Sequence, residues 1–186
     1  MTEFEPIVTS IRELLHKKQP ILLAIDGYGG SGKTTLARAI HSEFPGSAIV
    51  TLDDFATDTE SGADRKRFLS QVLVPVSKEK VANYQRFDWR AKALADWVAI
   101  KPEGLIIIEG VSVLGEDFNS YYDLRLWIDC PIEVASHRMK ERDRKLGMHN
   151  PVYFNVWEKE DREYGKTEPW KRADVIIKSW DSQLHY

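Results

Sequence analysis

Cysteine is almost absent from the 186-residue chain, which contains only Cys130. One thiol cannot form an intrachain disulfide, so the class of small secreted domains held by disulfides is excluded and a reducing compartment is expected. Long apolar runs are also absent, and residues 1–20 lack the basic start and continuous apolar stretch of a signal peptide. We therefore expect a cytoplasmic protein that has no membrane partner.

The chain also lacks an excess of charge of one sign. The 26 Lys and Arg residues nearly balance 29 Asp and Glu residues, for a net charge of −3, and this balance does not predict binding to nucleic acid. The His residues show no metal-ligand spacing, so no zinc site is expected. The length predicts one domain with a sizeable core. The sequence leaves it undecided whether the chain forms a homo-oligomer.

Short apolar runs alternate with helical patterns along the chain. Strands are predicted at residues 21–26, 47–55, 104–110, 124–130 and 173–178. Helices are predicted within residues 1–20 and at 33–44, 63–74, 91–100, 132–146 and 153–164, whereas residues 75–90 show no clear period. Because parallel neighbours need crossover connections, this alternation predicts an α/β three-layer fold, in which helices cover both faces of a mainly parallel five-stranded sheet.

Residues 27–34, GYGGSGKT, match the phosphate-binding pattern G-x-x-x-x-G-K-[ST] in full. The glycines let the backbone amides approach phosphates, Lys33 offers a positive charge, and Thr34 offers a hydroxyl to Mg²⁺. The motif lies between a predicted strand and a predicted helix, which is the context that it requires. We therefore predict that ATP is bound by Gly27, Gly29, Gly30, Ser31, Gly32, Lys33, Thr34 and Thr35.

Acidic residues lie at the ends of two predicted strands. Asp53 and Asp54 occur in LDDF, and Glu109 occurs in IIIEG. Since ligands of doubly wound sheets bind beyond the carboxyl ends of the strands, these acids and the phosphate-binding loop are expected to converge. A carboxylate there can accept a proton from an attacking hydroxyl or hold Mg²⁺, as in phosphoryl transfer to an alcohol. The alternative interpretation is that these acids are solvated or cap a helix.

Several elements together resemble one group of P-loop kinases. The guanine motif N-K-x-D and the LSGGQ-like signature of transporter ATPases are absent, whereas GYGGSGKTT, LDDF, RFDW, IIIEGV, YYDLRLWIDCP and ERDRKLG are present. This combination resembles the uridine kinase and phosphoribulokinase group, in particular its short bacterial members, and the likeness extends from about residue 21 to residue 178. The resemblance implies that Asp53 is the general base or Mg²⁺-linked acid and that Glu109 acts in the metal shell with Thr34.

The chain departs from that group in two respects. The group commonly has an aromatic residue after D-x-F, where this chain has Ala56. No equivalent of the residues that recognise a pyrimidine base is found. The sequence therefore leaves the identity of the phosphate acceptor undecided.

Residues 83–89, NYQRFDW, carry further candidates for acceptor binding. Aromatic rings can stack on a flat acceptor, and Arg86 or Asp88 can hydrogen-bond its polar groups. The alternative is that the aromatic residues only anchor a loop to the core. With the acids after the second strand, the candidate acceptor residues are Asp54, Phe55, Tyr84, Arg86 and Asp88.

Residues 137–147, HRMKERDRKLG, place Arg138 and Arg142 one helical turn apart. The resemblance implies a lid at about residues 132–150 whose arginines stabilise charge on the transferred phosphoryl group, and Arg144 is a further candidate. The alternative is a solvated helix face on which Glu141 and Asp143 are the partners of these arginines.

The sequence thus predicts an ATP- and Mg²⁺-dependent kinase that phosphorylates a hydroxyl of a small molecule, with a nucleoside as the expected acceptor. The predicted catalytic residues are Lys33, Asp53, Arg138 and Arg142, and the predicted metal site comprises Thr34, Asp53 and Glu109. A vitamin, nicotinamide riboside or a sugar is an alternative acceptor, and a non-catalytic ATP-binding switch is an alternative function. Glu160 and Asp161 are interpreted as part of a charged helix face.

Overall fold

A computed structural model describes residues 4–56, 63–145, 147 and 151–178. The helices are α1 (Phe4–Lys17), α2 (Lys33–Glu43), α3 (Arg65–Phe68), α4 (Val74–Ser77), α5 (Ile132–Lys145) and α6 (Pro151–Gly165). The strands are β1 (Ile21–Asp26), β2 (Ala48–Thr51), β3 (Ala82–Asp88), β4 (Ala93–Ile100), β5 (Leu105–Glu109), β6 (Leu124–Asp129) and β7 (Val175–Lys178). No helix in these ranges combines the length and apolar character needed to cross a bilayer.

Five strands form one parallel sheet in the order β2-β5-β1-β6-β7. The central strand β1, ILLAID, is buried at every position, which explains why its sequence is a continuous apolar run rather than an alternating one. The predicted α/β fold with a five-stranded parallel sheet is confirmed.

Alternate residues of β1 contribute to two cores on opposite faces of the sheet. On one face Leu23 packs with residues of α1 and α2, such as Ile11 and Leu36. On the other face Leu22 belongs to a core that includes residues of α3, α4 and the β3–β4 hairpin. One face of the sheet is therefore covered by helices, and the other by short helices and a hairpin.

The prediction of a helix at residues 91–100 is wrong. This segment forms β4, which pairs with β3 in a separate antiparallel hairpin. The segment is rich in helix-forming Ala, but pairing with β3 and packing of Val98 against the core override that propensity. The register shifts between Gln85 and Phe87, so the buried positions of β3 lose the strict alternation by which a strand is recognised.

The strand predicted at 47–55 ends earlier than expected. β2 stops at Thr51, and Leu52–Phe55 form a single 3₁₀ turn. Leu52 and Phe55 are buried while Asp53 is exposed. The turn therefore places the two aspartates of LDDF beyond the carboxyl end of the strand instead of within it. The helix predicted at 63–74 is a run of α3, a π-helical segment (Leu69–Leu73) and α4.

Candidate active site

The phosphate-binding loop follows β1 and leads into α2, as its sequence context predicted. Gly30 has a φ angle of 86°, and a Cβ atom there would lie 2.2 Å from the carbonyl oxygen of Ala135 in α5. Both observations require glycine, because a side chain would be strained by the backbone and would collide with the neighbouring helix. α5 therefore packs directly on the loop.

Lys33 extends back along the loop. Its side chain is buried, and its Nζ donates hydrogen bonds to the carbonyl oxygens of Gly27 at 2.8 Å and Tyr28 at 3.0 Å. A buried ammonium group is costly unless it has such partners. The loop thus holds a fixed positive charge beside its backbone amides, which is the arrangement that suits phosphate groups.

Thr34 and Glu109 meet where α2 begins and β5 ends. The Thr34 hydroxyl donates to Glu109 Oε1 at 3.2 Å. Burial raises the pKa of Glu109, and the charge of Asp53 raises it further, whereas Lys33 lowers it. A carboxylate and a hydroxyl are ligands of the kind that Mg²⁺ prefers. This pair therefore fits Mg²⁺, with phosphates and waters completing its shell.

No group of three or more His, Cys, Asp or Glu side chains gathers as a metal cluster within the described ranges. Mg²⁺ commonly binds through one or two protein ligands together with substrate phosphates. A site built on Thr34 and Glu109 agrees with that behaviour.

The two aspartates of the 3₁₀ turn have different environments. Asp53 is exposed and is close enough to influence the pKa of Glu109. Asp54 is half-buried and accepts a hydrogen bond from the Tyr84 hydroxyl at 3.1 Å. Burial raises the pKa of Asp54, although the bond from Tyr84 opposes the rise. Asp54 thus links the turn to the hairpin, while Asp53 is open to a ligand.

A cavity of about 240 Å³ lies between this turn and the hairpin. Its lining consists of Asp54, Arg86, Phe87, Asp88, Ala95 and Asp96. Three candidate acceptor residues predicted from sequence, Asp54, Arg86 and Asp88, are among them. Arg86 also lies 3.8 Å from Asp96. The cavity therefore offers carboxylates and a guanidinium group, which can hydrogen-bond hydroxyls of a small molecule.

The other two acceptor candidates lie in the core. Phe55 and Tyr84 are almost fully buried and stacked, with ring centroids 4.8 Å apart, and Phe55 also contacts Phe68 edge-on. Their rings hold the 3₁₀ turn against the hairpin and do not line the cavity. For these two residues the geometry agrees with the alternative that aromatic residues anchor this region.

The candidate lid arginines lie on α5 with exposed side chains. Arg142 Nε donates to Asp143 at 2.7 Å, and Arg144 pairs with Glu141. These acids are the partners named by the alternative interpretation, but only Glu141 is solvated, because Asp143 is buried. Arg138 contacts the Cys130 sulfur at 3.8 Å. Residues 146 and 148–150 of the predicted lid lie outside the described residues.

Asp26 was overlooked as a site residue, although it directly precedes the phosphate-binding loop. Its buried carboxylate accepts hydrogen bonds from the amides of Gly27 at 2.7 Å, Ser112 at 3.1 Å and Leu114 at 2.8 Å, and from the Tyr164 hydroxyl at 2.6 Å. Burial raises the pKa of Asp26. In the sequence, Asp26 ends an otherwise apolar strand that is predicted to be buried. That position could have indicated its structural role.

Asp161 of α6 was interpreted as part of a charged helix face, and this interpretation is wrong for it. Its side chain is buried, and Oδ2 accepts a hydrogen bond from the Gly29 amide at 2.8 Å. Burial raises its pKa to about 6. Glu160, its neighbour in sequence, is exposed as expected. The spacing of Asp161 from Phe154 and Trp157 is the sequence signal that could have indicated an inward position.

No protein-family profile matches the chain. A curated uridine kinase from Anoxybacillus flavithermus is 27% identical to it over 188 residues, which cover 87% of each chain. The solved structure of a possible uridine kinase from Bacillus stearothermophilus has a TM-score of 0.71 at 20% identity, over 95% of this chain and 100% of that one. Phosphoribulokinase from Rhodobacter spheroides has a TM-score of 0.59 at 14% identity, over 87% of this chain and 70% of its own.

The fold is that of the P-loop kinases. The resemblance to the uridine kinase and phosphoribulokinase group, which was inferred from short motifs, is confirmed. These relatives support a kinase that uses a nucleotide.

Proposed function

We propose that this protein transfers the γ-phosphate of ATP to a hydroxyl group of a small molecule, with a nucleoside as the first acceptor to test. The observation that carries the proposal is the contact of Thr34 with Glu109 beside the buried Lys33 ammonium. The exposed carboxylate of Asp53 lies on the adjoining turn. The proposed donor site and the proposed proton acceptor are thus both at the carboxyl ends of the strands, where ligands of such sheets bind.

Each group has a defined part in the proposed reaction. The acceptor hydroxyl oxygen bonds to the γ-phosphorus while Asp53 takes the hydroxyl proton, and the bond from the γ-phosphorus to the β–γ bridging oxygen breaks to release ADP. Lys33 stabilises negative charge on the phosphates. Mg²⁺ held by Thr34 and Glu109 would neutralise phosphate charge during the transfer.

The lid arginines take part in this proposal as well. Arg138 and Arg142 carry permanent charge on the helix that packs against the loop, and Arg142 would exchange Asp143 for the transferred phosphoryl group. Asp143 is buried, so leaving its carboxylate without this partner would cost free energy that the contact with the phosphoryl group has to offset.

The acceptor is proposed to bind in the cavity between the 3₁₀ turn and the hairpin. Curated relatives named uridine kinase favour a nucleoside, and the polar lining agrees with a hydroxyl-rich acceptor. Other hydroxyl compounds have the same basic requirement, so the acceptor must be found by experiment. A switch that only binds ATP has no need of the exposed Asp53.

The test is ADP release from ATP·Mg²⁺ in the presence of separate nucleosides, pantothenate, nicotinamide riboside and sugars, with the product mass measured. Stimulation by one compound together with a mass gain of one phosphate would identify the acceptor, and Lys33→Ala serves as the blank. Binding of ATP without phosphorylation of any compound would count against a kinase with these acceptors.

Asp53→Asn tests the proposed base. Because the amide cannot accept the proton, kcat is expected to fall about 10²- to 10⁴-fold, whereas the affinity for ATP·Mg²⁺ changes little. Glu103→Gln is the control, since Glu103 is exposed and precedes the amino-terminal end of β5, whereas the candidate site lies at the carboxyl ends of the strands. An Asp53→Asn protein with unchanged kcat would remove Asp53 from the mechanism.

A further inference from the structure

One face of α6 contacts both sides of the candidate active site. Phe154, Trp157, Asp161 and Tyr164 recur every three or four residues and so share that face. Trp157 meets Trp89, next to β3, with ring centroids 6.3 Å apart. Further along, Asp161 reaches the phosphate-binding loop and Tyr164 reaches Asp26. α6 is therefore in contact with the acceptor hairpin and the donor loop at once.

The carboxylate of Asp161 contacts a backbone amide of the phosphate-binding loop, as a bound anion would. Its Oδ2 accepts from the Gly29 amide at 2.8 Å, and a Cβ atom on Gly29 would lie 3.4 Å from the same oxygen. The positive charge of Lys33 acts on this carboxylate and lowers its pKa, against the larger effect of burial. A backbone amide together with a nearby ammonium is the chemistry by which this kind of loop binds phosphate.

The charge of Asp161 is not needed for its hydrogen bond. An asparagine oxygen could accept from the same amide, and it would avoid the cost of burying a carboxylate. Besides its attraction to Lys33, the negative charge acts on any other anion that enters the loop. Nucleotide phosphates would meet like charge at short range in a site of low dielectric, where such repulsion is strong.

We propose that Asp161 is an intramolecular anion that competes with nucleotide phosphates for the Gly29 end of the loop. Nucleotide binding then favours the protonated, neutral form of Asp161. The inference depends on the nucleotide binding of the proposed function, but not on the identity of the acceptor.

Nucleotide affinity of the Asp161→Asn protein tests the inference. Isothermal titration with ADP·Mg²⁺ and ATP·Mg²⁺ at pH 7.5 is expected to give affinities about 3- to 10-fold tighter than those of the unmodified protein, because one repelling charge is removed. Glu163→Gln is the matched control, since it removes a charge from an exposed position of the same helix, where the partner is Lys166, and its affinity should be unchanged. Equal or weaker binding by Asp161→Asn would overturn the proposal and make Asp161 a simple brace.

The unmodified protein provides a second test that requires no variant to fold. The groups facing Asp161 are Lys33 and Tyr28 of the loop, Asp26 of β1 and Glu160 of its own helix. With a pKa of about 6, Asp161 is neutral at lower pH, and repulsion appears as the pH rises through that value. Affinity for ADP·Mg²⁺ should therefore fall with rising pH, and binding near pH 7 should take up protons.

The pH series also compares the two proteins directly. Titration of the nucleotide itself is common to both, so the ratio of their dissociation constants isolates Asp161. That ratio should approach one near pH 5 and grow above pH 6. A ratio that stays constant with pH, or no proton uptake by the unmodified protein, would contradict the inference.

Failure of the inference and failure of the proposed function give different results. If the unmodified protein binds ATP·Mg²⁺ no better than Lys33→Ala, both are wrong. If it binds ATP·Mg²⁺ and Asp161→Asn binds no more tightly, only the competition by Asp161 is wrong.

Discussion

The donor side and the acceptor side of the candidate site are built differently. The phosphate-binding loop and Glu109 follow or end the buried parallel strands β1 and β5, and local hydrogen bonds from Lys33 and Thr34 connect them to the start of α2. The proposed acceptor cavity lies against an antiparallel hairpin outside the main sheet, with a register shift and exposed residues such as Trp97. In the proposed function, the donor is bound by a local motif, whereas the choice of acceptor would depend on a separate element of the fold.

The largest expected effect is on the donor side. Lys33→Ala leaves the carbonyl oxygens of Gly27 and Tyr28 without their buried donor and removes charge from the phosphates, so we expect at least about a 100-fold loss of kcat/KM. ATP affinity and ADP release measure the loss. Lys101→Ala, at an exposed position, should behave as the unmodified protein. Near-normal turnover by Lys33→Ala would remove the distinction between the two sides.

A separate effect, on stability rather than on rate, is expected where the two sides join. Phe55 is fully buried between Phe68 and Tyr84, so Phe55→Ala should lower the free energy of unfolding by about 3–5 kcal/mol. Urea denaturation measures this change. Trp97→Ala is the control, because Trp97 is 65% exposed and a surface change of this kind is usually within about 0.5 kcal/mol. A loss below about 1 kcal/mol for Phe55→Ala would mean that the turn is not held by this ring.

The smallest effect is expected on the acceptor side. Arg86 lines the cavity and is only loosely paired with Asp96, so Arg86→Ala should raise the KM for the acceptor about tenfold, through loss of a charged hydrogen bond. The KM for ATP should not change. Arg90→Ala, at an exposed position that does not line the cavity, is the control. An equal rise in both KM values would show that the two sides are not separable at Arg86.

The same contrast explains what could be predicted from sequence. The central strand and the loop were predictable because ILLAID is buried on both faces and GYGGSGKT is a local pattern. β4 was predicted as a helix because the composition of residues 91–100 favours one, and only pairing with β3 makes it a strand. Asp161 could not be separated from Glu160 by local sequence alone, since burial of one of two adjacent acids depends on how α6 packs. Motifs indicate local chemistry, whereas partners distant in sequence are set by packing.

The four hydrogen bonds to Asp26 have a consequence for the dynamics of the protein. The amides of Gly27 and Leu114 share this one carboxylate, although Leu114 lies 88 positions from Asp26 in the chain. Release of the carboxylate would open both amides to solvent together, so their hydrogen exchange should follow one cooperative opening. We therefore expect the first residue of the phosphate-binding loop and the segment after β5 to unfold and refold locally as one unit.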